Sequence, residues 1–442
     1  MTGYVTDTSP TTPEPVAPER SPRPAWLSFL VYAGLALATL SVVAIVADAP
    51  ALTGSGTWGA ALRVGIPIGL AGLGGLWSER SGVINIGLEG MLVLGTWFGA
   101  FGAVEHGPWW GVLLGIVGGA LGGLLHAIAT VRFGVDHIVS GVAVNLLGVG
   151  VARYLNIITF DDQTGATQSP RISGDVGQLD VPFLAGGRLF GWDPPLIPGG
   201  QLLPIDTPNM MGWLERQDWP ILSDLGAVVY GLTNAVTFDV LLGVLMFPLS
   251  WWILWRTPFG LRLRSCGEDP VAAESLGVNV YRMKTIAVTV SGALAGLGGV
   301  IIVLFASIYR EGQTAGRGFI GLAAMIFGNW RPGGLAMGAG LFGFTDALQL
   351  RNQAAVHAML LFVAVLLTGL AVRALVRRRW VAGAVTVTFA AGFLAWWLLT
   401  DEYPVQWVPF TPHITTLLVL AFASQRLRMP AANGVVYRRG EG

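Results

Sequence analysis

The sequence predicts an all-α polytopic membrane protein of about 10–12 transmembrane helices, with two interrupted segments and pseudo-symmetric halves. Of its 442 residues, 53% are hydrophobic and only 12% are charged, whereas soluble domains carry roughly 25% charged residues. The 62 glycines favour helices that pack closely through small residues. A formal net charge of zero gives no basic surface for nucleic acid.

Composition also excludes several chemical functions. Cys266 is the single cysteine, so neither an internal disulfide nor a multi-cysteine metal cluster is possible. Lys284 is the single lysine and follows Met283, so the chain lacks the Gly-Lys-Ser/Thr of a phosphate-binding Walker A loop. His126 and His357 stand alone without metal-ligand spacing. We therefore expect no enzyme activity, no metal and no cofactor bound by this chain.

The first half reads as a tail and five spans with short connections. Residues 1–24, rich in Pro, Thr, Ser and Glu, are expected to form a disordered cytoplasmic tail. Each span has about 20 residues, which at ~1.5 Å per residue crosses a ~30 Å hydrocarbon core. The predicted spans are 25–46, 58–77, 83–104, 109–130 and 137–158.

A long polar insertion, residues 159–225, separates the halves. It contains nine acidic and three basic residues, and a loop poor in basic residues belongs outside by the positive-inside tendency. We expect a compact, irregular extracytoplasmic loop. After a sixth span at 236–255, residues 256–284 carry five basic residues and are predicted to be cytoplasmic.

The second half contains a broken hairpin. A seventh span ends near residue 306. A short apolar segment follows at 318–328, and after the turn at 329–334 a second apolar segment continues at 335–350. Residues 355–405 hold two apparent extra helices, 355–375 and 381–400, and a last crossing is predicted at 412–423. The transmembrane domain is thus expected to be 25–428, and residues 429–442 are expected to form a cytoplasmic tail.

The stretch SERSGVINIGLEG, residues 78–90, is the first interrupted segment. A charge near the bilayer centre costs at least ~2.5 kcal/mol, so Glu89 at the start of an apolar run marks a special site. Ile86-Gly87-Leu88 with Met91 recurs as Ile320-Gly321-Leu322 with Met325, and Ala323 replaces Glu89. This favours an internal repeat, although four matches in an apolar chain also arise by chance. The alternative for 78–90 is a cytoplasmic turn before a plain span.

The cytoplasmic loop carries a second motif. Residues 267–270 place a turn and acidic residues before VAAESLG, a short helix with a glycine stop. The segment resembles the EAAxxxG coupling loop of ABC importer membrane subunits: Ala272, Ala273 and Gly277 match, and Val271 stands where the pattern has Glu. An ordinary loop helix is the alternative.

Together with SGALAGLGG and GFIGLAAMIFGNWRPGG, these motifs resemble permeases of the branched-chain amino acid and simple-sugar importer family. The nucleoside-type permeases that work with basic-membrane-protein lipoproteins are the most similar group, and the ending RMPAANGVVYRRGE resembles theirs as well. The likeness covers residues 58–350 and 410–441, while 355–405 and the long outer loop depart from the usual pattern.

The resemblance implies a subunit of an importer for nucleosides or related solutes such as simple sugars, in a bacterial cytoplasmic membrane with both termini cytoplasmic. It implies four partners: an ABC ATPase subunit that hydrolyses ATP, a second permease subunit, an extracytoplasmic substrate-binding lipoprotein and membrane lipid. The outer loop is a plausible contact for the lipoprotein. The ATPase-coupling residues would be Glu268, Asp269, Ala272, Ala273, Glu274 and Gly277.

Polar and aromatic groups at membrane depth suggest a substrate path. Asn85 and Glu89 lie four apart, on one face of a helix, and could bond ribose hydroxyls or base edges. For the aromatic candidates named below, the alternative role is packing against neighbouring residues. For Asn145, the alternative is a hydrogen bond between helices. Adjacent Glu79 and Arg80 are expected to form an ion pair rather than bind solute. The further path candidates are Trp97, Asn145, Phe319, Asn329 and Trp330.

The alternative function is an ion-coupled secondary transporter of a small polar solute. Broken helices would serve it equally well, and Glu89 would carry the proton. The coupling-loop motif favours the ATP-driven importer. The sequence does not specify which solute is carried.

Overall fold

The computed structural model describes residues 25–165, 167–189, 205–217, 219–351, 353–400, 406–407 and 427–438. The predicted tail 1–24 and the predicted crossing 412–423 lie outside these residues. The first half contains α1 (Ala25–Val46), α2 (Ser55–Arg80), α3 (Leu88–His106), α4 (Pro108–Ala127) and α5 (His137–Thr164). A π-helical turn, Ile128–Arg132, extends α4.

The outer loop is more regular than predicted. It holds α6 (Met210–Glu215), the start of α7 (Leu222–Thr233) and strands of two short antiparallel β-strand pairs. In the first pair β1 (Gln178–Leu179) bonds to β4 (Val236–Thr237), and in the second β2 (Arg188–Leu189) bonds to β3 (Ile205–Asp206). Local capping explains α6, because Asn209 Oδ1 accepts the Gly212 amide at 2.7 Å.

The second half begins with α8 (Phe238–Arg256), followed by α9 (Pro258–Glu268) and α10 (Pro270–Ser275) in the segment predicted to be cytoplasmic. Then come α11 (Val280–Ala306), α12 (Arg317–Phe327) and α13 (Pro332–Arg351), which confirm the broken hairpin. The two predicted extra helices correspond to α14 (Gln353–Val376) and α15 (Trp380–Leu399), which pack on each other as an antiparallel pair.

Seven helices of the described part are long and apolar enough to cross a membrane. They differ in burial: 78% of the apolar window of α2 and 67% of that of α11 are buried, against 11% for α15. The centre of the subunit is therefore α2 and α11, and α15 is peripheral. The seven are α2, α4 with its π turn, α5, α8, α11, α14 and α15.

Glycines let α4 and α11 touch along their backbones. A Cβ added at Gly119 would lie 2.3 Å from the Gly292 carbonyl oxygen, and one added at Gly292 would lie 2.2 Å from the Gly119 oxygen. The contact continues one turn along, where a Cβ at Gly296 would lie 2.4 Å from the Gly115 oxygen. Side chains at these positions would force the helices apart, so the close packing expected from the glycine content is present here.

One predicted span starts too early. The apolar run 83–104 was expected to be helical from its beginning, but residues 83–86 have no regular secondary structure and α3 begins at Leu88. The reason is the Asn85 side chain, whose Oδ1 accepts the Gly87 amide at 3.0 Å and so stabilises a non-helical turn.

Candidate functional site

The N-terminus of α12 lies at half the depth of α2. A Cβ added at Gly321 would lie 2.6 Å from the Ile68 oxygen, and one added at Gly72 would lie 2.5 Å from the Gly321 oxygen. Ile68 and Gly72 are near the middle of the 26-residue α2. With 11 residues, α12 spans roughly 16 Å, about half a hydrocarbon core.

Glu89 joins the two interrupted segments. Its Oε1 accepts hydrogen bonds from Thr314 Oγ1 at 2.6 Å and the Gly316 amide at 3.1 Å. Its Oε2 accepts the Gly318 amide at 2.7 Å. A Cβ at Gly318 would lie 2.6 Å from Glu89 Cα, so the first turns of α3 and α12 touch. The carboxylate thus caps the positive N-terminal end of a half-helix at membrane depth.

Asn85 and Asn145 satisfy the polar backbone of the first break. Asn85 is fully buried and donates to Ser291 Oγ of α11 at 2.8 Å. Asn145 of α5 donates to the Ile86 oxygen at 3.0 Å and accepts the Gly90 amide at 2.7 Å. Buried backbone groups outside a helix need such partners. Both amides line the break, and their contact with a solute stays a prediction.

The aromatic candidates occupy three different places. Trp97 is only 4% exposed and stacks on Phe101 with 5.4 Å between ring centroids. Phe319, in the first turn of α12, is 48% exposed. Trp330 lies past the opposite end of α12, where Nε1 donates to Glu79 Oε2 at 2.7 Å. The predicted residues therefore do not form one cluster. Glu89 and Phe319 lie at the N-terminal end of α12, which is the end at membrane depth.

A hydrogen-bond network surrounds the C-terminal end of α12. Glu79 is 4% exposed and also accepts the Asn433 side-chain amide at 2.9 Å. Arg80 donates to the Trp330 oxygen at 2.6 Å, and Asn329 Oδ1 accepts the Arg428 amide at 2.7 Å. The expected ion pair between Glu79 and Arg80 is wrong, because adjacent residues on a helix do not face each other.

The coupling-loop segment forms the predicted capped helix. Asp269 Oδ1 accepts the Ala272 amide at 2.9 Å at the start of α10, and Gly277 ends it with φ +82°. Ala273 is 2% exposed and packs on Cys266. One side of α10 is apolar and uncovered: Ala272 is exposed with Val271 and Leu276, which are 49% and 83% exposed.

Two charged residues of this loop hold the C-terminal segment. Glu268 Oε2 accepts the Ala431 amide at 3.2 Å, and the Glu274 carboxylate accepts the Tyr437 hydroxyl. Cys266 is fully buried below them, and burial raises the pKa of its thiol to about 11. The thiol therefore stays protonated and unreactive near neutral pH.

Two cavities lie at different places in the fold. A groove of about 920 Å³ beside α10 is lined by Arg132, Glu274, Tyr281 and Arg282 among others. A smaller cavity of about 220 Å³ lies elsewhere, and its lining includes Arg63 of α2 and Asp239 of α8. Within the described residues, no group of three His, Cys, Asp or Glu side chains could hold a metal ion.

Comparison with known proteins identifies the family. The family described as "Branched-chain amino acid transport system / permease component" matches residues 59–372. The chain belongs to this family. It is a multi-pass membrane permease, as the motifs indicated. Both interrupted segments and the coupling loop lie inside the matched range, whereas α15 and residues 427–438 lie beyond it.

Individual relatives agree with this assignment. The guanosine ABC transporter permease protein NupQ of Bacillus subtilis is 32% identical, over 86% of this chain and 96% of its own length. The nucleoside ABC transporter permease protein NupC of Lactococcus lactis is 30% identical over 84% and 93%. The guanosine permease protein NupP of Bacillus subtilis is 24% identical over 64% and 71%. No solved structure matches the chain.

Sequence reasoning missed several contributors to the site. Thr314 donates to Glu89, and Ser291 accepts from Asn85. Glu79 of α2 accepts hydrogen bonds from Trp330 and from Asn433 of the C-terminal segment. Single Ser and Thr residues in apolar helices carry no pattern that marks them. The C-terminal segment is missed because it lacks an apolar run.

Proposed function

We propose that this chain is one membrane subunit of an ATP-driven importer for nucleosides or related polar solutes such as simple sugars. Family membership and the similarity to the guanosine permease protein NupQ and the nucleoside permease protein NupC support this substrate class. The observation that carries the mechanism is the capped helix α10, which presents an uncovered apolar face to the cytoplasm. The sequence has no Walker A loop, so a separate ATPase subunit hydrolyses ATP and the chain has no catalytic role.

The exposed face of α10 is the proposed docking site for that ATPase. Ala272 is small and allows close approach, and Leu276 offers an anchor that is 83% exposed. Asp269 caps the helix, Glu268 and Glu274 fix it to the rest of the chain, and Gly277 ends it. ATP-driven closure of the ATPases would move α10 as a rigid unit.

The substrate path is proposed to pass the junction of α3 and α12, between this chain and a second permease subunit. Phe319 is exposed at this junction and offers a stacking surface for a base or sugar ring. Glu89 lies beside it with its oxygens bonded to the α12 N-terminus. The walls around this path are held in position by Asn85, Trp97, Asn145, Asn329 and Trp330.

The remaining partners follow from this assignment. NupP and NupQ are two different guanosine permease proteins of one bacterium, which supports a heterodimer of permeases here. The outer loop 159–225 faces an extracytoplasmic lipoprotein that delivers the solute. Both termini are cytoplasmic, and the permease domain 25–428 is embedded in lipid.

Reconstitution tests the proposal. The chain is co-expressed with its second permease and ATPase and placed in proteoliposomes with the delivery protein and radiolabelled nucleoside. We expect uptake that requires ATP hydrolysis and stops when the ATPase is inactivated. Uptake driven by a proton gradient in liposomes that hold this chain alone would contradict the importer and favour an ion-coupled transporter.

Leu276→Asp is expected to weaken ATPase association at least about tenfold, because burying an unpaired carboxylate in an apolar interface costs well over 1.4 kcal/mol. Co-purification and ATP-dependent uptake measure the effect. Leu276→Met keeps the apolar volume and serves as the matched control, with association retained. Normal ATPase binding by Leu276→Asp would exclude this face of α10 as the docking site.

A further inference from the structure

Residues 427–438, here called the C-terminal strap, lie across the cytoplasmic side of the subunit and bond to the coupling loop. The Ala431 amide donates to Glu268 Oε2 at 3.2 Å, and the Ala432 amide donates to the Gly267 oxygen at 2.9 Å. Tyr437 donates its hydroxyl proton to the Glu274 carboxylate. The strap therefore holds both the residues that precede α10 and α10 itself.

The same strap bonds to both interrupted segments. The Gly434 amide donates to the Gly82 oxygen at 3.2 Å, beside the break that precedes α3. The Arg428 amide donates to Asn329 Oδ1 at 2.7 Å, in the turn that follows α12. Twelve residues of chain thus connect the coupling loop with the cytoplasmic ends of both segments.

Asn433 is the central side chain of the strap. Its Nδ2 donates at 2.9 Å to the same Glu79 oxygen that accepts the Trp330 indole at 2.7 Å. The buried Glu79 carboxylate therefore connects α2, the strap and the turn after α12. Asn433 Oδ1 is buried without a hydrogen-bond partner in the described part of the chain.

The contact between strap and coupling loop is tight at the backbone. A Cβ added at Gly82 would lie 3.2 Å from the Ala432 oxygen and 3.2 Å from Gly267 Cα. A Cβ added at Gly267 would lie 2.3 Å from the Arg80 oxygen. Three backbones meet here without side chains between them, so the end of α9 cannot shift without moving the strap or the end of α2.

We infer that Asn433 and Tyr437 are positioning residues for transport, which transmit the movement of α10 to the two interrupted segments. Coupling between distant sites is carried by contiguous packed and hydrogen-bonded groups. The strap forms such a contiguous connection from Glu274, through Tyr437 and Asn433, to Glu79 and Trp330. This inference rests on the proposed function.

Packing also anchors Tyr437, independently of its hydroxyl. Its ring lies 5.5 Å from the Tyr281 ring, and the Lys284 ammonium lies 5.8 Å from its centroid. Tyr437→Phe therefore keeps the ring contacts and removes the hydroxyl with its bond to Glu274, whereas Tyr437→Ala removes the ring as well. Comparing these two variants separates the effect of the hydroxyl group from the effect of the ring packing.

The test measures uptake and ATP hydrolysis in the same proteoliposomes of the full complex. For Asn433→Ala we expect the solute moved per ATP hydrolysed to fall about tenfold, the effect of losing one hydrogen bond to a charged group. Tyr437→Ala is expected to act in the same direction and Tyr437→Phe less strongly. ATPase association and hydrolysis are retained. Met429→Ala, on the same strap with a side chain 52% exposed, is the control and leaves the ratio unchanged.

The outcomes separate this inference from the proposed function. If the wild-type complex shows no ATP-dependent uptake, the proposed function fails. If wild type is active and the variants keep its ratio of uptake to hydrolysis, the role of the strap is overturned, including when both rates fall together. If Asn433→Ala does not accumulate, the test uses Tyr437→Phe, which removes one oxygen atom. A lower ratio of uptake to hydrolysis then supports the role of the strap, and an unchanged ratio overturns it.

Discussion

Gly119→Val is expected to destabilise the folded protein severely. The new side chain would start 2.3 Å from the Gly292 oxygen and 2.5 Å from Gly296 Cα, both atoms of the α11 backbone. No side-chain rotation relieves such a clash, so α4 and α11 must separate. Overpacking alone costs about 1–3 kcal/mol, and separation also loses the van der Waals packing that drives helix association in lipid.

Size-exclusion chromatography and thermal unfolding in detergent measure this effect. We expect almost no monodisperse protein, or an unfolding temperature lowered by several degrees. Gly150→Val makes the same chemical change on α5, where an added Cβ meets nothing within 4 Å, and should behave like wild type. Equal behaviour of the two variants would show that α4 and α11 tolerate separation.

Hydropathy predicted the membrane helices well because the length of an apolar run has a direct physical meaning in a bilayer. The first helix, Ala25–Val46, and the broken hairpin α12–α13 agree closely with the predicted ranges. The error at residues 83–86 arises because hydropathy does not distinguish an apolar helix from an apolar extended segment. Hydrogen bonds of the Asn85 side chain with Gly87 and of the Asn145 side chain with Ile86 and Gly90 stabilise the extended segment, and hydropathy does not register them.

The site was predictable as segments but not as contacts. Motifs singled out Glu89, yet its partner Thr314 is 225 residues away in sequence, and no local pattern links them. The same limit applies to Trp330, whose indole donates to Glu79 near the C-terminal end of α2, a contact between residues far apart in sequence. Helix geometry, by contrast, explains why neighbouring Ala272 and Ala273 differ, one exposed and one buried.

The strap illustrates a second limit of reading a sequence. RMPAANG has no apolar run and reads as a tail, and the structure holds it largely through backbone amides such as those of Arg428 and Ala431. Every residue type except proline offers such a donor, so composition does not reveal which segments use it. Segments of this kind are found only when the partner surface is known.

Glu89→Gln is expected to lower the maximal rate of ATP-dependent uptake about 30-fold or more, while leaving ATPase association intact. The carboxylate accepts three hydrogen bonds, from Thr314, Gly316 and Gly318. A glutamine amide keeps one acceptor oxygen and turns an NH2 group toward donors, so at least one buried donor loses its partner, at a cost of ~1–3 kcal/mol. The negative charge at the α12 N-terminus is lost as well.

The dependence of uptake on solute concentration decides between two roles for Glu89. If it positions α12, the maximal rate falls and KM changes little. If it bonds the solute directly, as the sequence suggested, KM rises and the maximal rate is better preserved. Glu105→Gln, near the other end of α3 and exposed, is the matched control and should leave both parameters unchanged. A wild-type rate and KM for Glu89→Gln would contradict both roles, because the junction of α3 and α12 would then not depend on the carboxylate.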